Sequence, residues 1–124
     1  MSDPKQAHTF SLMARKDFRA MKALEQADVE TFGFHAEQAV EKAAKAWLCL
    51  LGIAIPRTHD LFSLFALIAQ AGASIEKRFE SLRDLTLFAV EFRYSLYEDD
   101  TEPFDRAGLI ATVDAFLRHV ESLR

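Results

Sequence analysis

Apolar residues return every three or four positions along nearly the whole chain, the period of helices packed on one face, and strand-like alternation is almost absent. From about Lys5 to Gln26, Phe10, Ala14, Phe18, Met21 and Leu24 form one such face. Asp28 to Gly33 reads as a short connection. Phe34–Leu51 then places Ala36, Ala39, Val40, Ala43, Trp47, Leu50 and Leu51 on a buried side, and Gly52 suits a left-handed C-terminal position. A third helix begins with Thr58 as N-cap and Asp60 in its first turn, faces inward through Leu61, Leu64, Phe65 and Ile68, and stops near Gly72. The fourth, from about Ser74 to Leu96, buries Ile75, Phe79, Leu82, Leu85, Phe88, Ala89 and Phe92. Its second apolar edge, Leu87, Val90, Tyr94 and Tyr97, suits a central position or a second subunit, so a homodimer is expected. Glu98-Asp99-Asp100 breaks the pattern. Pro103 suits the first turn of a fifth helix with Phe104, Ile110, Val113, Phe116, Leu117 and Val120 as its core face. The expectation is all-α, a five-helix up-and-down bundle forming one domain over residues 1–124.

Composition supports that architecture and narrows its setting. Half of the 124 residues are hydrophobic and eleven are phenylalanine, which suits a packed core rather than a disordered chain. The lone Cys49 lies in an apolar helical run, so an internal disulfide is excluded and a buried thiol is expected. The N-terminal stretch lacks the pattern of a signal peptide, and no run approaches the ~20 apolar residues of a membrane span. The expected setting is the cytoplasm, with no membrane partner. A net charge of −4 argues against a surface that attracts nucleic acid everywhere, so any RNA contact must be focal.

The candidate chemistry sits on three short stretches. Opposite the apolar face of the second helix, Glu37, Gln38, Glu41, Lys42 and Lys45 form a polar stripe. It reads either as solvated surface, with Glu41 and Lys45 in an i,i+4 pair, or as a site where Lys42 and Lys45 donate to phosphate while Gln38 or Glu41 orients them or contacts a base or sugar. Arg57 and His59 flank the start of the third helix, where backbone N–H groups favour an anion; equally, Thr58 caps the helix and His59 packs at the turn. Arg93 can reach a groove edge or cap its own helix, and Tyr94 can stack on a base or belong to the core or an interface. The acidic run is either a solvated loop or an aid to a hard metal. Phosphate loops, paired cysteines, zinc-protease spacing and nucleophile elbows are all missing from the sequence, and no metal or cofactor is expected.

Taken in order, Ala36-Glu37-Gln38-Ala39-Val40-Glu41-Lys42-Ala43-Ala44-Lys45-Ala46, Thr58-His59-Asp60-Leu61 and Arg93-Tyr94 resemble the QAxEKxxKA, THDL and RY signatures of the HEPN domains, the higher eukaryotes and prokaryotes nucleotide-binding family. The spacing of Ala14, Asp17 and Phe18 is similar to that family's opening helix. The resemblance implies an all-α bundle, commonly homodimeric, that binds a nucleotide or RNA phosphate and is often paired with a minimal nucleotidyltransferase as toxin and antitoxin. Together with the reading of the residues above, it makes Gln38, Glu41, Lys42, Lys45, Arg57, His59, Arg93 and Tyr94 the candidate ligand-binding residues. Many relatives are metal-independent ribonucleases with an Arg-x4–6-His motif, but Glu98, Asp99 and Asp100 stand where that histidine would follow Arg93. The expectation is therefore a binding module with no assigned catalytic residue. The alternatives are a ribonuclease with His59 as displaced acid–base residue and a non-catalytic dimerisation adaptor.

Overall fold

The computed structural model describes residues 2–89 and 104–123. Among these residues lie four α-helices, α1 (Pro4–Ala23), α2 (Val29–Leu51), α3 (Leu61–Gln70) and α4 (Arg106–Ser122), one 3-10 segment (Lys77–Phe88), and no strand. The all-α, five-helix expectation holds. Pro103, Glu98-Asp99-Asp100, and Val90 to Leu96 of the expected fourth helix lie outside the described residues.

The α1–α2 pair is antiparallel. Asp3 N–H, just before α1, donates to Cys49 C=O near the end of α2, at 2.8 Å, and Asp17 pairs with His35 and Lys42 further back. α4 crosses α1 in the opposite sense: Arg106 reaches the carbonyls of Glu25 and Ala27, while Arg15 pairs with Asp114 and Glu121. The Glu121 carboxylate, with Asp114, holds the Arg15 guanidinium above its ordinary range against the opposing effect of burial. In the space between the helices, Phe116 stands within 5.2–6.2 Å of the rings of Trp47, Phe65 and Phe79. Aromatic rings supply large buried areas and tilted edge contacts, which explains the phenylalanine-rich composition.

Three boundaries differ from the sequence expectation, each for a local reason. α2 begins at Val29, not Phe34, because the Asp28 carboxylate accepts from Thr31 N–H (2.9 Å) and Thr31 Oγ1 (2.8 Å), while Val29 and Phe32 are buried. Those Thr31 bonds also lower the Asp28 pKa. Gly33 belongs to the helix interior, and the Phe88 ring packs so close that a Cβ there would stand 2.4 Å from it. α3 is capped by Asp60 rather than Thr58: Asp60 accepts from Phe62 N–H and Ser63 Oγ, whereas Thr58 Oγ1 accepts from Asp60 N–H in a tight turn. The described part of the fourth element starts at Lys77 and is 3-10, not α. Its buried residues Phe79, Leu82, Leu85 and Phe88 are spaced by three, which aligns them on one line at 3.0 residues per turn but would let them drift around an α-helix. Gly52 ends α2 with φ 75°, as expected.

Candidate functional site

The polar stripe of α2 is not a solvated face. Glu37 is fully buried, Glu41 is 3% exposed, and the ammonium of Lys45 lies 3.0 Å from Glu41 Oε2. A carboxylate so enclosed needs partners for both oxygens. Glu41 has them: Oε1 is 3.0 Å from His59 Nδ1. An ionised carboxylate only accepts, so Nδ1 carries the proton and Nε2 is the ring nitrogen that Glu41 leaves unengaged. The segment from Ile53 to Asp60 doubles back along α2, which brings His59 beside the middle of that helix rather than beyond its end.

One turn earlier, burial and the adjacent Glu41 charge push the Glu37 carboxyl up to about 9. Glu37 is therefore neutral at pH 7. Its Oε1 accepts from Gln38 Nε2 at 2.7 Å, and Oε2 has no donor. An oxygen without a donor is where a protonated acid can carry its O–H, and the Glu41 carboxylate four residues on favours that protonated form.

A second carboxylate bracket runs along the α1–α2 seam. Asp17 Oδ1 lies 3.1 Å from His35 Nδ1, and Asp17 Oδ2 takes the ammonium of Lys42. The two lysines of the stripe are thus divided between two acids: Lys45 to Glu41, Lys42 to Asp17. They do not converge on one point.

A hollow of about 410 Å³ opens at the turn before α3, lined by Arg57, Thr58, His59, Asp60, Thr86, Leu87 and Ala89. The His59 side chain is 63% exposed, Arg57 is exposed, and Leu87 is 52% exposed. Arg57 makes no hydrogen bond or ion pair among the described residues. The lining combines the Arg57 and His59 side chains with the apolar Leu87 and Ala89, and the Asp60 carboxylate in it is engaged by Phe62 N–H and Ser63 Oγ, a set of groups suited to a ligand with an anionic and a flat apolar part. Of the residues expected from sequence, Glu41, Lys45 and His59 form one network, Arg57 joins His59 at the hollow, Lys42 stands in the seam bracket, and Gln38 serves Glu37. Arg93 and Tyr94 lie outside the described residues.

Sequence reading missed His35 and Thr86 as members of these networks and gave Asp17 only a place in the opening-helix spacing. Asp17 pairs with residues 18 and 25 positions away, beyond the reach of helical periodicity. Cys49 is buried as expected, and burial pushes its thiol up, away from the reactive thiolate. Among the described residues, no group of three or more His, Cys, Asp or Glu is placed to hold a metal ion, and no helix is long and apolar enough to cross a membrane.

A family model described as the HEPN domain matches residues 10–123. No curated protein and no solved structure matches the chain.

Proposed function

The chain belongs to the HEPN domain family, and from that premise we propose that it binds a nucleotide or RNA phosphate in the hollow before α3. The observation that carries this reading is the placement of His59, fixed through Nδ1 by the buried Glu41–Lys45 pair, at a hollow it shares with the exposed Arg57. Arg57 supplies a planar fork of donors for phosphate oxygens, His59 a further donor, and Leu87 an apolar surface for a base or ribose. Lys45 acts through Glu41 rather than on the ligand. In this proposal Arg93 and Tyr94 are further contacts, supported by the sequence signature. A homodimer, a minimal nucleotidyltransferase partner, a toxin–antitoxin role and a cytoplasmic setting belong to the same proposal and rest on the family resemblance.

Calorimetric titration with ATP, AMP and a short single-stranded RNA tests the reading. R57A and H59A should each weaken binding about tenfold, the weight of one charge-assisted contact. Unchanged affinity in both variants, with the fold intact, would refute it.

One observation favours a second reading, metal-independent RNA cleavage. A buried carboxylate that orients an exposed imidazole through Nδ1 is the arrangement by which Nε2 takes a proton from an attacking hydroxyl. Here the RNA 2′-hydroxyl would be the nucleophile. Cleavage of single-stranded RNA in EDTA, lost in H59A, is the expected result, and no cleavage by the wild type refutes this second reading alone.

A further inference from the structure

His59 lies outside any helix, so no helix fixes its backbone. The hydrogen bonds that join Thr58, Asp60, Phe62 and Ser63 stay within the turn and the start of α3, and Glu41 holds only the His59 ring, so neither fixes the His59 backbone against the rest of the molecule. A backbone tie from the turn to another element comes from Thr86 on the 3-10 segment. Its Oγ1 accepts from Leu61 N–H at 3.1 Å and donates to His59 C=O at 3.2 Å, with Asp60 Oδ1 a longer alternative at 3.5 Å. A hydroxyl has one proton to give and lone pairs to receive, and here both capacities bracket the two residues on either side of Asp60. Leu61 N–H is also the first orphan donor of α3, and Thr86 satisfies it from outside the helix.

We propose that Thr86 is the positioning residue of the hollow: its hydroxyl holds the His59 backbone at the distance from α2 at which Glu41 can grip the ring. The His59 imidazole is then held at both ends of the residue, the carbonyl by Thr86 and Nδ1 by Glu41. An anion entering the hollow meets a donor already oriented, so less ordering accompanies binding. Thr86 lines the hollow itself, but its hydroxyl is committed to the turn. This inference rests on the phosphate-binding reading for its effect on affinity, though not for its effect on the histidine.

The test compares T86V, which keeps the shape and removes the hydroxyl, with T86S, which keeps the hydroxyl. The first readout is the ring Nδ1–H proton of His59 in the free protein, by nitrogen-labelled NMR. In the wild type it should be protected from exchange with water by its bond to Glu41. T86V should lose that protection, and T86S should retain it. The second readout is ATP affinity, expected to fall about tenfold in T86V and to return in T86S. D28A, which removes a helix cap that touches none of the hollow, controls for lost stability and should change neither readout. A T86V protein that melts earlier yet keeps its protected Nδ1–H overturns the proposal and leaves Thr86 as a partner for Leu61 N–H alone. If the wild type binds neither ATP nor RNA, the binding reading fails, while the NMR comparison still decides the role of Thr86.

Discussion

Replacing Glu37 by glutamine should change how stability depends on pH, in a direction fixed by the burial of this side chain. In the folded protein the carboxyl is pushed from 4.5 up to about 9, first by burial and then by the neighbouring Glu41 charge. In the unfolded chain it ionises near its ordinary value. Between those two values the unfolded state binds fewer protons than the folded state, so the stability this group allows is fully present below the lower value. It is lost as pH rises to the upper one. Each pH unit in that window is worth about 1.4 kcal/mol, so moving from about pH 5.5 to about pH 8.5 removes up to about 4 kcal/mol. That is a large part of the ~5–15 kcal/mol that holds a domain of this size folded. Glutamine cannot ionise, its Oε1 can still accept from Gln38, and its amide N–H₂ replaces the acid proton facing Glu41. Urea unfolding of E37Q and wild type across that range should therefore give curves that diverge with pH, the variant gaining on the wild type at the alkaline end. Parallel curves would show that Glu37 is ionised in the folded protein and that the neutral, buried acid described here is wrong.

Other substitutions test other parts of the structure. G33A should destabilise by about 1–3 kcal/mol, the usual cost of overpacking, because its Cβ would meet the Phe88 ring at 2.4 Å, and chemical denaturation will show this directly. D60A should lower stability by about 1 kcal/mol in the same assay through loss of the α3 cap. K45A should weaken ATP binding by freeing Glu41 from its partner, whereas K42A should leave it near wild type, since Lys42 pairs with Asp17 in the α1–α2 seam. Equal losses of affinity in the two lysine variants would contradict the division of the stripe between two acids.

The architecture was largely legible in the amino-acid pattern because amphipathic period is local and the helices bury the faces it marks. Where reading failed, a tertiary contact overrode a local signal. Gly33 looks like a break until Phe88 is seen against it, and Thr58 looks like a cap until the Asp60 carboxylate is found bonded to Phe62 and Ser63. The spacing Phe79, Leu82, Leu85, Phe88 was visible, yet a run of threes is compatible with α or 3-10 geometry over short stretches, and only packing decides. For the site, the composition of the stripe was visible and its burial was not. Glu41, Lys45 and His59 do meet, but the partners that fix them or divide them, Asp17, His35 and Thr86, come from elements whose approach no sequence period encodes.

The clasp that Arg106 makes on the carbonyls of Glu25 and Ala27 spans about eighty positions of chain. During synthesis the first two helices emerge together and can zip as a local hairpin, but the guanidinium that closes their corner leaves the ribosome much later. Until it arrives those carbonyls have only water. The corner between α1 and α2 is thus closed by a long-range contact, which has to wait for α4 however early the two helices pair.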